Sequence, residues 1–174
     1  MESPEPNESD IGVYDDWQWH IGGAFPEGCP PEQGYVHIGI FAAWLVRHEL
    51  VDGDRIAALG GERAMAGVAD RSGEIASLRE PTGGRLAAEM LTAEGRAFAG
   101  AYYAPEYGFP RDWQRIFGRR ADRYEVPGTW ESYDLIAPTI DKRYAEWIAG
   151  GRPELIPVPG FLVGRLARWL ERRR

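Results

Sequence analysis

Cysteine is almost missing from this chain: Cys29 stands alone among 174 residues, which excludes an internal disulfide framework and any cysteine-rich zinc site. Lysine is as scarce. Lys142 is the one lysine among 20 basic residues, so arginine is the default cation here and single arginines are poor markers of a phosphate site. No apolar run reaches the roughly 18 residues of a membrane span. The opening MESPEPNESD is acidic, unlike the basic and apolar start of a secretory signal, so the expectation is a cytoplasmic protein. Nucleophile-elbow, Walker and dinucleotide patterns are missing, and Gly22-Gly23 neither follows a predicted strand nor opens a helix. No internal period is visible, which argues against a solenoid or propeller.

What remains is enough for one domain. A chain of this size buries about 70% of its unfolded surface without help from metals or disulfides, and 44% of the residues are hydrophobic. The net charge of -7 is uneven: residues 1–13 are acidic, 161–174 carry five arginines against Glu171, and the body between them is acidic. An acidic body repels phosphate backbones, so nucleic acid is not an expected partner. The organisation expected is a disordered acidic tail over 1–13, a single globular domain over 14–160 and a basic amphipathic helix over 161–174. That helix is expected to dock on the body, with contact to an anionic membrane surface as the alternative.

Helical signals dominate. YVHIGIFAAWLVRHELV at 35–51 is apolar nearly all round and predicts a central buried helix. Asp52 or Asp54, Thr82, Thr92 and Thr129 are candidate N-caps; the helix after Thr82 would hold Leu86, Ala87 and Met90. Pro110 suits the first turn of a helix through Trp113 and Phe117, and Pro138 the start of another through Trp147. Residues 14–33 mix three large aromatics with glycines and prolines and read as an ordered loop with no regular helix. Strand patterns are confined to short pieces near Tyr14, Tyr124 and 155–158. The fold class expected is mainly α with long ordered loops, the alternative being α+β with a few short strands.

Three histidines bound the chemistry. His37 and His48, eleven residues apart on one helix, lie about 16 Å from each other and cannot share an ion. Only His20 with His37 can, and Asp15, Asp16, Glu131 and Asp134 are the carboxylates that would complete a zinc or iron site. The alternative is structural: His20 bonded to a backbone carbonyl of its glycine loop, and His37 satisfying a polar group near the helix start. His48-Glu49-x-x-Asp52 resembles a zinc-protease helix but has Asp where the second His belongs, and reads as a polar helix end. Cys29 reads as a small loop residue. The arginines of 111–124, although interleaved with aromatics, read as a solvated face.

The blocks Tyr14-Asp15-Asp16, Trp19-His20, Gly22-Gly23, Phe25-Pro26, Gly34, His37-Ile38-Gly39, Phe41 and Ala43-Trp44 resemble the opening signature of a family of small bacterial proteins of unknown function. Leu91-Thr92, Glu94-Gly95, Phe98, Tyr102-Tyr103, Thr129-Trp130-Glu131 and Tyr133-Asp134 are similar to its second half, so the resemblance runs from about 14 to 148. It implies no activity. It does concentrate attention on Asp15, Asp16, His20 and His37 as candidate catalytic residues. Trp19, Phe25, Trp44, Tyr103, Trp130, Glu131 and Asp134 are candidate binding residues.

Two functions stay open. The first is a binding module of immunity or regulatory type whose partner is another protein, suggested by an acidic, aromatic-rich domain without a recognisable catalytic set. The second is a hydrolase-like enzyme in which His20 or His37 is a general base oriented by Asp15 or Asp16. No cofactor is expected apart from a divalent metal on His20 and His37. Convergence of the two imidazoles on a carboxylate in a pocket would favour the enzyme.

Overall fold

A computed structural model describes residues 12–21, 25–118 and 122–156. The acidic tail (save Gly12 and Val13), Gly22-Gly23 and the terminal helix lie outside the described residues. The elements run β1 (Val13–Asp16), α1 (Trp17–Ile21), α2 (Val36–Arg47), α3 (Gly53–Ala58), α4 (Glu62–Ala69), α5 (Arg79–Thr82), β2 (Arg85–Ala87), α6 (Ala93–Phe98), α7 (Phe109–Phe117) and α8 (Trp130–Ala149), joined by short 3-10 turns. The domain is compact and mainly α, with one two-stranded antiparallel sheet. Among the described residues no helix is long and apolar enough to cross a membrane.

Helix α2 is the axis of the core, as its apolar sequence requires. Ile38, Ile40, Phe41, Ala43, Trp44 and Leu45 are fully enclosed, against Leu78, Phe98, Tyr102, Phe109, Ile136, Ile140 and Trp147 from the surrounding elements. Three of the expected caps form: Asp52 accepts from Arg55 N, Thr92 from Gly95 N and Thr129 from Ser132 N. Each satisfies an amide that a helix start otherwise leaves unbonded.

The expectations fail in four places. Thr82 ends α5 instead of capping a helix. Gly83 and Gly84, at φ 61° and 75°, stop the chain there, and Arg85–Ala87 pairs with β1 instead of coiling. Pro138 does not open a helix but sits inside α8 on its exposed side, where the carbonyl it leaves unbonded can face water. Residues 14–33 are not all loop, because α1 makes one helical turn from Trp17 to Ile21. The segment at Tyr124 is a 3-10 turn, Asp122–Glu125, and not extended.

Two glycines fix close approaches. A Cβ on Gly34 would stand 3.1 Å from Trp17 O and 3.4 Å from His20 Cβ, so the bare backbone at 34 lets α1 rest against the lead-in to α2. A Cβ on Gly108 would overlap the Tyr102 carbonyl oxygen, a backbone atom that cannot swing aside. Gly108→Ala is therefore expected to cost about 2–3 kcal/mol in urea unfolding, the range of overpacked sites; a loss within 0.5 kcal/mol would show that the start of α7 moves freely.

Candidate functional site

The site begins with a bulge. Val13 pairs with Ala87 and Asp15 with Leu86, so two steps along β1 match one along β2 and Tyr14 is the extra residue. Bulges re-aim side chains, and successive strand residues face opposite ways; Asp15 and Asp16 consequently part company. Asp16 is buried on the sheet side, where its Oδ2 accepts from Arg85 Nε at 2.7 Å and its Oδ1 accepts from Gln18 N at 2.9 Å. It anchors the sheet and starts α1, and it does not join the histidines.

Asp15 does. Its Oδ1 lies 2.7 Å from His20 Nε2 and its Oδ2 3.1 Å from His37 Nε2, while the two Nε2 atoms are 3.2 Å apart. His20 comes from the last turn of α1 and His37 from the first turn of α2, their rings edge to face at 4.5 Å. Two tyrosines brace the cluster. Tyr103 donates its hydroxyl to Asp15 Oδ2 at 2.7 Å, and the Tyr124 hydroxyl lies 3.2 Å from His20 Nδ1. Tyr103 ends a π-helical stretch, Ala99–Tyr103, a distortion that often marks functional positions. Side-chain exposures of 16% for His20, 13% for Asp15 and 7% for His37 leave the cluster shielded but reachable.

The donor atoms of Asp15, His20 and His37 all lie within 4.8 Å of one another. Four ligands at zinc distances of about 2.0–2.1 Å stand roughly 3.3–3.4 Å from their neighbours, and the separations here are 2.7, 3.1 and 3.2 Å. The shortest contact would have to open by roughly half an ångström to admit an ion at that spacing. Without a cation, Tyr103 and one histidine already satisfy the carboxylate, and the two Nε2 atoms, 3.2 Å apart, can both face it only with two donors side by side or with one donating to the other. With an ion on His20 Nε2, the ring proton sits on Nδ1 and is donated to Tyr124, the outer partner that histidine ligands ordinarily have.

Burial pushes the Asp15 carboxyl up, but hydrogen bonds from His20 and His37 and their positive charge outweigh it and hold the group well below the usual carboxylate range. A depressed folded pKa gives stability that is present above the unfolded value near 4 and is lost as pH falls through the folded value. In EDTA, thermal stability should drop below about pH 4 more steeply in the wild-type protein than in Asp15→Asn; equal slopes would show that the carboxylate contributes nothing to folding.

Beside the cluster a narrow crevice is lined by Asp15, His37, Tyr103, Phe109, Pro110 and Trp113. Its volume of about 30 Å³ is at least twice the roughly 10–15 Å³ that one water needs. It admits water or the end of a small molecule, not a bulky substrate.

The other candidate residues are placed elsewhere. Trp44 is wholly buried, donates Nε1 to Asp141 at 2.8 Å and stacks on His48. Trp130 donates to Gly73 O at 3.0 Å beneath the Arg71 guanidinium, and Asp134 forms a two-pronged pair with Arg71 at 2.9 and 3.0 Å. Glu131 is exposed in the first turn of α8; neither it nor Asp134 reaches the histidines. Phe25 packs on Tyr124 at 4.7 Å, behind His20, and Trp19 is half exposed on α1. His48, at the end of α2, pairs with Asp141 at 3.1 Å, and Cys29 donates its thiol to Tyr124 O at 3.2 Å. Tyr124 and Trp113 were not among the expected site residues, and no spacing signal links Tyr124 to a histidine 104 positions earlier.

Nothing among curated proteins or solved structures matches the chain. One family does, over residues 13–126, a span that contains Asp15, His20, His37, Tyr103, Trp113 and Tyr124 and stops before α8. By that match, which covers about two thirds of its length, the chain belongs to the family described as Domain of unknown function (DUF7832).

Proposed function

We propose that Asp15, His20 and His37 bind one divalent metal ion, of zinc or ferrous type, and that the protein is a metal-dependent hydrolase. The observation that carries this reading is the mutual approach of three ligand-type atoms to within 4.8 Å, with Tyr103 bonded to Asp15 and Tyr124 to His20. Closed structural zinc sites use four protein ligands, whereas catalytic ones use three and keep a position for water. This cluster offers three among the described residues and adjoins a crevice with room for water.

A divalent ion held by these three residues would supply Lewis acidity and make water a nucleophile near neutral pH. The residues do the rest. His20 and His37 hold neutral imidazoles on it, Asp15 contributes a negative charge, and Tyr124 and Tyr103 keep His20 and Asp15 in register. In the reaction, the water oxygen bonds to an electrophilic centre of the substrate, the bond from that centre to its leaving group breaks, and one water proton ends on the leaving group.

Protein stripped with EDTA and dialysed should take up one equivalent of Zn²⁺ by calorimetry, and His20→Ala and His37→Ala should take up none. Absence of uptake by the wild-type protein at 100 µM Zn²⁺ (roughly the weak end of useful affinities) sinks the metal reading. The protein-binding reading stands second. It is favoured by Trp19 and Ile21, two exposed apolar residues of α1 that flank His20 in sequence. Trp44 weakens it, being wholly buried, whereas Trp130 and Asp134 are tied up by Gly73 and Arg71.

A further inference from the structure

The three donors of the candidate metal site stand closer together than a tetrahedral ion would set them. Ligands at right angles on bonds of about 2.1 Å are about 3.0 Å apart, and ligands at the tetrahedral angle about 3.4 Å. The separations here are 2.7, 3.1 and 3.2 Å. Two of them already suit right angles, and the Asp15–His20 contact alone must open, by about 0.3 Å. A tetrahedral ion would have to push all three apart. The rings give a second measure. With about 1.2 Å from each Nε2 to its ring centre, imidazoles pointing at one ion have centroids about 4.7 Å apart at a right angle and about 5.4 Å apart at the tetrahedral angle. The centroids of His20 and His37 are 4.5 Å apart.

We propose that Asp15, His20 and His37 form one face of a six-coordinate divalent ion, ferrous or manganous in type, with the opposite three positions left to small ligands. The donor set agrees: two imidazoles and one carboxylate on one face, with the other positions open, are the arrangement proteins offer to ferrous iron. No thiolate joins them to favour zinc. Cys29 gives its thiol to the Tyr124 carbonyl, and the cluster holds no cysteine among the described residues. Three open positions differ from the one position of a three-ligand tetrahedral site, because water and more than one substrate oxygen can be held together. The proposal rests on the metal reading above and not on the hydrolytic one.

Affinity cannot test this, because Zn²⁺ binds nitrogen and oxygen sites more tightly than Mn²⁺ or Fe²⁺ do and has no geometric preference of its own. Co²⁺ reports the geometry. Its d–d transitions are nearly forbidden in a six-coordinate field, which is close to centrosymmetric, and are much stronger in a tetrahedral one. The full-length protein, stripped with EDTA, loaded with Co²⁺ and desalted, should retain one equivalent and absorb visible light at least tenfold more weakly per cobalt than tetrachlorocobaltate. Its proton NMR spectrum should contain two strongly shifted, exchangeable signals that split on ¹⁵N-histidine labelling, the ring N–H groups of His20 and His37. No other pair can supply them, since His48 lies about 16 Å along α2 from His37. Absorption within tenfold of the tetrahedral complex, with both signals present, overturns the six-coordinate assignment and leaves the metal site standing. Retained Co²⁺ with fewer than two such signals places the ion elsewhere and overturns both readings. No retained Co²⁺ overturns the metal reading and the proposal with it.

Discussion

Asp15→Ala should abolish the stabilisation of the protein by Zn²⁺ and lower the stability of the metal-free fold as well. If the proposed site binds Zn²⁺, the free ion at about 1,000 times its dissociation constant would stabilise the wild-type protein by about 4 kcal/mol, which at this chain length would raise Tm by roughly 10 °C. The variant should show none of that rise. In EDTA it should still be weaker than wild type by about 2–3 kcal/mol, because His20, His37 and the Tyr103 hydroxyl all lose the acceptor they share. Asp15→Asn keeps the shape and removes the charge, so it should fold better than the alanine variant while losing most of the Zn²⁺ response. A Zn²⁺-dependent rise in Tm that survives in Asp15→Ala would mean that the ion sits somewhere else.

A second large loss is expected far from the histidines. Asp112 is 3% exposed and accepts from Arg143 Nε at 2.8 Å, from Arg143 Nη2 at 3.2 Å and from the Tyr102 hydroxyl at 3.1 Å. Burial, and then the neighbouring Asp112 charge, push the Tyr102 phenol far above its ordinary range, so it remains a donor at any working pH. Removing Asp112 strands the Tyr102 hydroxyl and leaves Arg143 to Glu146, whose Oε2 accepts from Arg143 Nη1 at 3.1 Å, so the loss falls at the lower end of the about 3–5 kcal/mol that breaking a buried pair costs. Asp112→Ala should therefore lower Tm by roughly 10 °C. The double variant Asp112→Leu with Arg143→Met should recover much of this, because apolar replacements of both partners avoid stranding a charge. A single-variant loss below about 1 kcal/mol would show that water reaches the pair. The network ties α7, which carries Trp113, to α8, which lies beyond the family match. Damage to it should therefore also disturb the crevice.

The parts of the site that could be read in advance are those tied to local physics. The α2 helix follows from an unbroken apolar face, and the caps at Asp52, Thr92 and Thr129 follow from side-chain oxygens placed before helical runs. His20 and His37 could be singled out because helix geometry removes His48 from any shared ion. Asp15 could not be told from Asp16, since the choice depends on a bulge set by pairing with a strand some 70 residues later, at Arg85–Ala87, where a helix was expected. Trp44 illustrates the opposite failure. A tryptophan within a signature can serve a surface or a core, and here packing against Phe41, Phe98 and Tyr144 takes it inside.

Periodicity, capping and rise per residue act over a few turns, and they were enough to define a mainly helical, acidic domain, its central helix and the pair of imidazoles able to meet. Which carboxylate joins those imidazoles, and that Tyr103 and Tyr124 bond to the cluster, came from the folded chain. Those outcomes depend on contacts between residues 22 to 104 positions apart, and such contacts are selected by packing of the whole core, which no local pattern encodes.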